Sequence, residues 1–272
     1  TLASISGALI MSEAELRLGI FLAAFVLLAV AEYMWPRRLQ PLPRRQRWPG
    51  HFALQVLSAV LLRVVFPGAA IGLALQMQTL GWGLFNVWPA TTAVSVVVSL
   101  LLLDLGIYGQ HVASHRLPWL WRLHRLHHSD RQLDLTSALR FHPLEILLSM
   151  VWKGILIAVI GAPVLAVMIF EVMLNASALF NHANLRLPLA VDAWLRKFLV
   201  TPDMHRVHHS RREQETDSNY GFCLPWWDWL FRSYRAQPED GHDGMQIGLQ
   251  EFGAVSESRL RQMLTQPFRQ QQ

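Results

Sequence analysis

The sequence predicts an all-α integral membrane protein with about three spanning helices and one helical hairpin, whose cytoplasmic helical cap holds a histidine-rich site for two metal ions. Hydrophobic residues make up 52% of the 272 residues and charged residues only 16%, a balance that is unusual for a soluble globular protein. Long apolar runs alternate with short basic segments. A histidine-rich heptapeptide also occurs twice, as HRLHHSD at 124–130 and HRVHHSR at 205–211.

The first predicted span covers residues 17–35, since about 20 apolar residues are needed to cross a bilayer. The basic, proline-rich segment 36–48 is predicted to follow as a loop, and such an excess of arginine in a short loop is typical of the cytoplasmic side. Upstream, Met11 is a plausible start of the chain, and residues 1–10 lack the basic region that opens a cleavable signal.

The second predicted span, 52–78, is interrupted by Arg63 and Pro67. A nearly uncharged loop at 81–92 then places its tryptophans at the opposite membrane interface, where tryptophan is enriched. The third predicted span, 93–115, returns the chain to the first side.

Two shorter apolar runs, 144–160 and 163–182, flank the sequence GAP and predict a helical hairpin that enters the bilayer and returns. Residues 116–143 and 183–235 are predicted to form the cytoplasmic cap, and 236–272 a peripheral tail, all within one membrane domain. The return of the hairpin is essential, because a single span in its place would put the two histidine-rich repeats on opposite faces of the membrane.

Nine histidines fall into four groups with helical spacing. Residues three or four positions apart lie on one face of a helix, with Cβ atoms about 5–6 Å apart. Neutral imidazole is a common ligand of zinc, copper, iron and nickel, and nine ligands exceed the four that one zinc ion usually takes. The sequence therefore predicts two metal ions with four or five nitrogen ligands each, held by His111, His115, His124, His127, His128, His182, His205, His208 and His209.

The other histidines are expected to play different parts. His51 is predicted to lie at the membrane interface, and His242 in the sequence GHDG to be an ordinary surface or core residue. His142 precedes Pro143, which can open a helix, and is a candidate supporting residue or extra ligand. The single cysteine, Cys223, excludes an intrachain disulfide framework and a four-cysteine cluster built by this chain alone. The sequence also contains no HExxH, GxGxxG or P-loop motif.

Several polar residues lie within apolar runs. Asp104 belongs to the third predicted span, where an acid is costly and usually functional. It is expected to accept a hydrogen bond from a ligand imidazole, or to pair with Arg63. Glu171 and Asn175 share a stripe with His182 and are candidate supporting residues. The alternative is that these carboxylates are protonated or form purely structural pairs.

On these motifs the sequence resembles the fatty acid hydroxylase superfamily, also called the sterol desaturase family, and in particular its bacterial membrane branch. The mark of that family is HxxxH followed by two HxxHH motifs at the ends of membrane helices. The resemblance covers roughly residues 15–235, and its matching stretches are 82–89, 120–130, 139–149, 179–188, 201–210 and 215–231.

The resemblance implies two iron ions that activate O2 to attack an unreactive C–H bond of a lipid, with zinc as a possible occupant of purified material. Val112 stands where the family often has arginine. Relatives often carry a further histidine one turn from His182, which this chain lacks. A tenth ligand would then come from Asn181, Asn184, His142 or water.

The resemblance implies a lipid hydroxylase, with a desaturase as the close alternative because the two reactions differ only after hydrogen abstraction. Implied partners are a lipid-like substrate from the bilayer and a separate electron donor, a ferredoxin or cytochrome with its reductase. Arg211 and Arg212 would dock an acidic donor or anchor the membrane interface.

Other functions are less well supported by the sequence. A metal transporter would need ligands along a path at mid-membrane, whereas these histidines cluster at helix ends, and a purely structural zinc site is a second alternative. No nucleic-acid partner is expected, since the arginines flank apolar runs. The expected location is the bacterial inner membrane, with the metal site on the cytoplasmic side.

Overall fold

The computed structural model describes residues 2–88 and 90–269, with side chains from residue 15 onward. Pro89, the side chain of Met11 and those of residues 1–10 therefore lie outside the described set. Within it the chain is helical, and the extended contacts are two isolated β-bridges, Pro36 with Leu185 and Ser210 with Ile247.

The helices are numbered here in chain order. They are α1 (Leu2–Met34), α2 (Arg44–Val65), α3 (Ala69–Leu80), α4 (Leu84–Val87), α5 (Thr92–Arg116), α6 (Pro118–His128), α7 (Pro143–Ile160), α8 (Val164–His182), α9 (Leu189–Leu195), α10 (Pro202–His208), α11 (Glu213–Thr216), α12 (Trp226–Leu230), α13 (Gly241–Gly244) and α14 (Leu260–Thr265). Short 3₁₀ turns cover Leu135–Leu139, Gln250–Phe252, Val255–Ser258 and Gln266–Phe268.

Five helical segments among the described residues are long and apolar enough to cross a membrane. They are Glu15–Met34, Arg44–Val87, Thr92–Arg116, Pro143–Ile160 and Val164–His182. The all-helical membrane class predicted from the sequence is confirmed. The number of crossings and the side on which the cap lies stay predictions, because length and composition do not define them.

The second candidate span differs in its details from the predicted one. Its helix begins at Arg44, so the last five residues of the predicted loop 36–48 are helical. The apolar run then breaks between α2 and α3, because Pro67 has no backbone N–H to donate and Ala69 takes a positive φ of 44°. Because α2 begins at Arg44, polar side chains near its start are buried on a helix and do not lie in an exposed loop.

Helices α7 and α8 form an antiparallel hairpin around a tight turn. Gly161 ends α7 with a φ of 62°, and Pro163 precedes the first residue of α8. Gly83 packs against this turn so closely that an added Cβ would lie 2.3 Å from the nitrogen of Gly161. The apolar core that joins the hairpin to α3 and α5 includes Leu103 and Ile157.

The predicted pairing of Arg63 with Asp104 is wrong. Arg63 is exposed on α2. Asp104 instead accepts hydrogen bonds from the backbone N–H of Cys223 at 3.3 Å, the backbone N–H of Leu224 at 3.2 Å and Nε1 of Trp227 at 2.8 Å. The buried acid therefore fastens the cap to α5, because three donors from the cap replace the water that a carboxylate loses on burial.

The expected peripheral position of residues 236–272 is also wrong for the described part of that segment. Met245, Phe252 and Met263 are almost fully buried. Arg125 of α6 donates to the backbone oxygens of Gln266 and Arg269, each at 2.6 Å. The segment therefore packs as part of the cap, and α6 is covered by it.

Arg211 and Arg212 also bind this segment. Nε of Arg211 donates to the oxygen of Gly248 at 3.1 Å, and Arg212 pairs with Glu239 at 2.6 Å and with Asp240 at 2.8 Å. Because intramolecular partners already engage both side chains, we do not propose them as the docking site of an acidic partner.

A network of buried charges joins α2 to the segment that follows α6. Arg47 pairs with Asp130 and with Asp134, each at 2.7 Å. His51 is fully buried in this network: its Nδ1 is 3.0 Å from Oγ1 of Thr136, and its Nε2 accepts from Arg140 at 3.1 Å. Asp130 lies two residues beyond His128, so this network positions the end of the first histidine-rich motif.

Candidate metal centre

The structure brings the nine clustered histidines together in two adjacent groups. In each group one ligand atom per residue lies within 4.8 Å of all the others. The first group contains His111, His115, His124, His128 and His208, and the second contains His127, His182, His205 and His209. The rings of His128 and His209 are stacked with centroids 4.5 Å apart, so the two groups share a border.

The repeated HxxHH motif divides between the two groups in a reciprocal way. In α6 the i, i+4 pair, His124 and His128, belongs to the first group, and His127 points to the second. At α10 the pair, His205 and His209, belongs to the second group, and His208 to the first. A helix rotates about 100° per residue, so neighbouring histidines diverge while the i, i+4 pair converges. This geometry explains why the motif occurs twice.

Helix ends set the positions of these residues. Pro118 and Pro202 occupy the first positions of α6 and α10, where a missing N–H costs nothing. Oγ1 of Thr201 caps α10 by accepting from the N–H of Met204 at 3.4 Å. Both short helices are thus held at defined starts, and their histidines lie near the C-terminal end of each helix or directly after it.

The rings of the five-histidine group are oriented by acceptors on their outer side. Nδ1 lies 2.7 Å from the oxygen of Tyr220 in His111, 2.6 Å from Oε1 of Glu145 in His124, and 2.8 Å from the oxygen of Ser218 in His208. Since a carbonyl can only accept, Nδ1 of His111 and of His208 carries the proton. The Nε2 lone pairs then face the interior of the group, as in many histidine-bound metal sites.

Those inward nitrogens lack hydrogen-bond partners among the described residues. They are buried Nε2 atoms of His115, His124, His128 and His208. Buried polar atoms in native proteins almost always have a partner, so four unpartnered acceptors in one place indicate a bound cation.

In the four-histidine group the Nε2 atoms approach one another. The distances are 2.9 Å from His182 to His127, 3.1 Å from His205 to His182, and 3.2 Å from His209 to His205. Nitrogens bound at ~2.0–2.1 Å to one ion and at right angles lie roughly 3 Å apart. The observed spacing therefore fits one shared metal ion, which would also relieve the repulsion among four convergent lone pairs.

The imidazoles of the cap are neutral at physiological pH. Burial, reinforced by the neighbouring rings, holds the pKa of His127, His128, His205 and His209 well below the ordinary value. Burial lowers the pKa of His208 to about 3. Neutral nitrogen donors suit iron, zinc, copper and nickel, so the donor set fits two ions of this class.

Two aromatic residues that the sequence did not single out cover the centre. The ring of Phe141 stacks on His127 with centroids 4.2 Å apart. Trp121 packs against His115 at 5.1 Å and His128 at 5.4 Å. These side chains exclude water from the rings that face the cap.

The predicted supporting residues in the membrane helices are engaged elsewhere. Asp104 binds cap backbone groups, as described above, and no ligand imidazole. Glu171 pairs with Arg17 at 2.6 Å and with Lys153, and the side chain of Asn175 donates to the backbone of Glu171 at 2.7 Å. These contacts are structural, as in the alternative prediction for the carboxylates.

The three predicted candidates for a tenth ligand also differ in their surroundings. His142 caps α7 by accepting from Leu144 at 3.2 Å, and its Nε2 lies 3.3 Å from the oxygen of Leu264. Asn184 binds the backbone of Arg38 through both amide atoms. We propose neither as a ligand. Asn181 is fully buried, and its Oδ1 has no hydrogen-bond partner in the described part of the chain.

Glu145 is the supporting residue that sequence reasoning missed. It lies in the first turn of α7 and accepts from His124. The available signal was the stretch HPLE, in which Pro143 opens a helix and places an acid two residues later. Asp217, 3.5 Å from Nδ1 of His115, was missed as well.

Comparison with known proteins places this centre in a described family. The family model for fatty acid hydroxylase matches residues 96–233, a range that contains all nine histidines. An ornithine lipid hydroxylase of Rhizobium tropici is 32% identical over 66% of this chain and 52% of its own length. Human alkylglycerol monooxygenase is 30% identical over 50% of this chain and 29% of its own. Cholesterol 25-hydroxylase of Rattus norvegicus is 24% identical over 53% and 47%, respectively.

The chain thus spans about half or less of the length of these relatives. No solved structure matches it. The family model nevertheless covers half of the chain and all of its paired histidine motifs. The chain belongs to the fatty acid hydroxylase family.

Proposed function

We propose that this protein hydroxylates a C–H bond of a membrane lipid, using O2, two iron ions and electrons from a separate donor. The observation that carries the proposal is the pair of adjacent groups of five and four histidines. In the first group four inward Nε2 atoms lack partners among the described residues, and in the second the inward Nε2 atoms lie only against one another. Such a donor set fits two adjacent metal ions.

The relatives support hydroxylation as the reaction. The three described above are named for hydroxylation or monooxygenation, and their named substrates are an ornithine lipid, an alkylglycerol and cholesterol. These names favour hydroxylation over desaturation for this chain, and they favour a lipid as the substrate class.

Iron bound by neutral nitrogen ligands would supply redox chemistry and leave positions free for O2. The protein's own residues hold and orient the ligands. Glu145 and the carbonyls of Tyr220 and Ser218 fix three rings through Nδ1. The carboxylate of Glu145 also increases the electron donation of His124, as such partners do in histidine-bound metal sites.

The loop that carries Tyr220 is itself fixed by a buried acid. Asp228 accepts from the N–H of Tyr220 and the N–H of Gly221, both at 2.8 Å. The Tyr220 ring packs against His111 and His115. The loop therefore closes one side of the five-histidine group and excludes water from it.

The position of the centre suits a substrate that arrives from the bilayer. His111 and His115 lie in the last turns of α5, and His182 is the last residue of α8; both helices are candidate spans. A lipid chain between such helices would reach the metals from the membrane side. We propose that this end faces the cytoplasm, because the basic segment 36–48 lies at the same end of α1 and α2.

The first test is the metal content of detergent-purified protein from iron-replete cells, with Mössbauer spectra of the bound iron. We expect two coupled irons per chain. Zinc alone would call for anaerobic reconstitution with ferrous iron, since zinc outcompetes ferrous iron at such sites. Failure to load two irons after reconstitution would overturn the proposal.

The second test is the product. Cells that express the protein are grown under ¹⁸O2, and their lipids are compared with those of cells that express the His205→Ala variant. We expect a lipid that gains one ¹⁸O atom only with the intact centre. A lipid that loses two hydrogens without gaining oxygen would indicate desaturation instead.

A further inference from the structure

A cavity lined by arginines lies between the cap and the segment that follows α1. Its volume is about 380 Å³, and its polar lining includes Arg38, Arg131, Arg206 and Asn184. A neighbouring cavity of about 360 Å³ shares Arg38 and Arg131 and adds Arg211. No carboxylate side chain among the described residues lines either cavity, so the charged side chains in the lining of both are arginines.

Two of these arginines keep buried donors free. Arg206 is fully buried, its Nη1 donates to Asp203, and its Nε has no partner among the described residues. Nη2 of Arg38 donates to the oxygen of Met245 at 2.9 Å, while its Nη1 is buried and also lacks a partner there. Unsatisfied buried donors are costly, so a ligand that accepts hydrogen bonds would be stabilised in this cavity.

The nearby acids do not balance this charge. Asp203 is shared by Arg206 and Arg37, the latter at 3.3 Å, and Asp243 also binds Arg37 at 2.6 Å. An anion in the cavity would offset the repulsion among the arginines that line it.

The cavity lies near the expected membrane boundary, and three of its lining residues follow metal-centre histidines closely in the chain. The candidate span of α1 ends at Met34 and the next begins at Arg44, and Arg38 lies between them. Arg131 follows His128 by three residues, Asn184 follows His182 by two, and Arg206 follows His205 directly. Each of the three chain segments that supply these histidines thus also lines the cavity.

We propose that this cavity binds the oxyanion of a lipid headgroup, a phosphate or carboxylate group, and thereby holds the lipid next to the metal centre. Guanidinium groups recognise such oxyanions through paired hydrogen bonds. The volume is within the range of small-molecule pockets, about 300–1,000 Å³. The connection to turnover rests on the proposed function, whereas the binding of the oxyanion does not.

The experiment is calorimetric titration of the full chain in uncharged detergent, before and after iron loading. The probes are inorganic phosphate, dihexanoylphosphatidylglycerol as an anionic lipid, and dihexanoylphosphatidylcholine as a zwitterionic one. The variants are Arg131→Gln and Arg38→Gln. Arg45→Gln is the matched control, because Arg45 is exposed and outside both cavities.

We expect saturable binding of the anionic lipid that Arg131→Gln weakens roughly tenfold, since a hydrogen bond between two charged groups is lost. Arg45→Gln should bind like the parent protein. Phosphate binding as strongly as the lipid would identify a free anion as the ligand of the same site. The proposal is overturned if neither anionic probe binds, or if Arg131→Gln and Arg38→Gln both bind like the parent protein.

The experiments distinguish failure of this inference from failure of the proposed function. Anion binding in a protein that neither loads iron nor forms product would overturn only the proposed function. Product formation without anion binding would overturn only this inference.

Discussion

Two buried polar regions meet at the end of α6, and they differ in whether their polar atoms have hydrogen-bond partners. In the metal centre, rings point nitrogens at one another, and seven imidazole nitrogens from the two groups have no partner among the described residues. In the neighbouring charge network, the side chains are hydrogen-bonded to one another or to nearby hydroxyl and backbone groups. The members of this network are Arg47, Asp130, Asp134, His51 and Arg140.

This difference distinguishes a ligand-binding site from a structural polar core. Both regions are fully buried, and both contain histidine. The network satisfies its own donors and acceptors, so it needs nothing further. In the metal centre the inward Nε2 atoms either lack a partner among the described residues or lie only against one another, which indicates a cation as the missing partner.

The largest effect should come from removing one ligand. We expect His205→Ala to lose more than about a hundredfold in metal affinity at the four-histidine group, because loss of a supporting partner alone costs ~10–100-fold. Hydroxylation should fall below detection. Metal per chain and product formation are the measurements.

His242→Ala is the matched control for that variant. His242 is also buried and both its ring nitrogens lack hydrogen bonds, but it stands alone, 3.7 Å from Asp203. Two metals per chain should therefore remain. If His242→Ala lost metal as His205→Ala does, convergence of the rings would not be what distinguishes the centre.

The second effect concerns stability. Arg47→Leu leaves Asp130 and Asp134 buried without their shared partner, and breaking a buried ion network in this way costs about 3–5 kcal/mol. We expect a matching decrease in the free energy of unfolding in detergent, while the fraction that stays folded still binds two metals.

Arg45→Leu, two residues earlier and exposed, should change stability by less than about 0.5 kcal/mol. An Arg47→Leu variant as stable as the parent protein would show that the network contributes no net stability. A folded Arg47→Leu protein with no metal would show that the two regions are a single functional unit.

The comparison also shows which features were predictable from the sequence. Helical spacing and apolar run length identify the nine histidines and the membrane helices, because both signals are local. The partners of Asp104 were not predictable, since Cys223 and Trp227 lie more than a hundred residues away in the chain. The role of His51 was missed for the same reason: its partners, Thr136 and Arg140, come from a distant segment.

A smaller effect should follow from changing a ring's outer partner. Glu145→Ala removes the acceptor 2.6 Å from Nδ1 of His124. We expect a 10–100-fold loss of metal affinity, roughly 1.4–2.7 kcal/mol, at the five-histidine group only. Glu145→Gln keeps an acceptor oxygen and should recover part of the loss. Metal titration followed by Mössbauer spectroscopy separates the two groups, and an equal loss at both would contradict this assignment.

The smallest effect, counted for each titrating residue, is the pH dependence of the free energy of unfolding of the metal-free protein. This dependence distinguishes the two regions without any mutation. Burial lowers the pKa of His208 to about 3, below the ~6.5 of an unfolded chain, so the unfolded state binds more protons between these values. Stability should therefore decrease as the pH falls below about 6.5, by up to roughly 1.4 kcal/mol per pH unit for each such histidine.

The network should respond in the opposite range. The charges of Arg47 and its neighbours outweigh burial and hold the pKa of Asp130 well below its usual value. Its contribution is thus present above the unfolded pKa of ~3.9 and is lost only in stronger acid. Unfolding of metal-free protein measured from pH 7.5 to 5 should then report the histidines alone. Because these native imidazoles bind no proton in this range, metal bound to the folded state should increase the free energy of unfolding and leave its slope with pH unchanged. Metal-free stability that does not decrease between pH 6.5 and 5 would show that the histidines are not held neutral by burial.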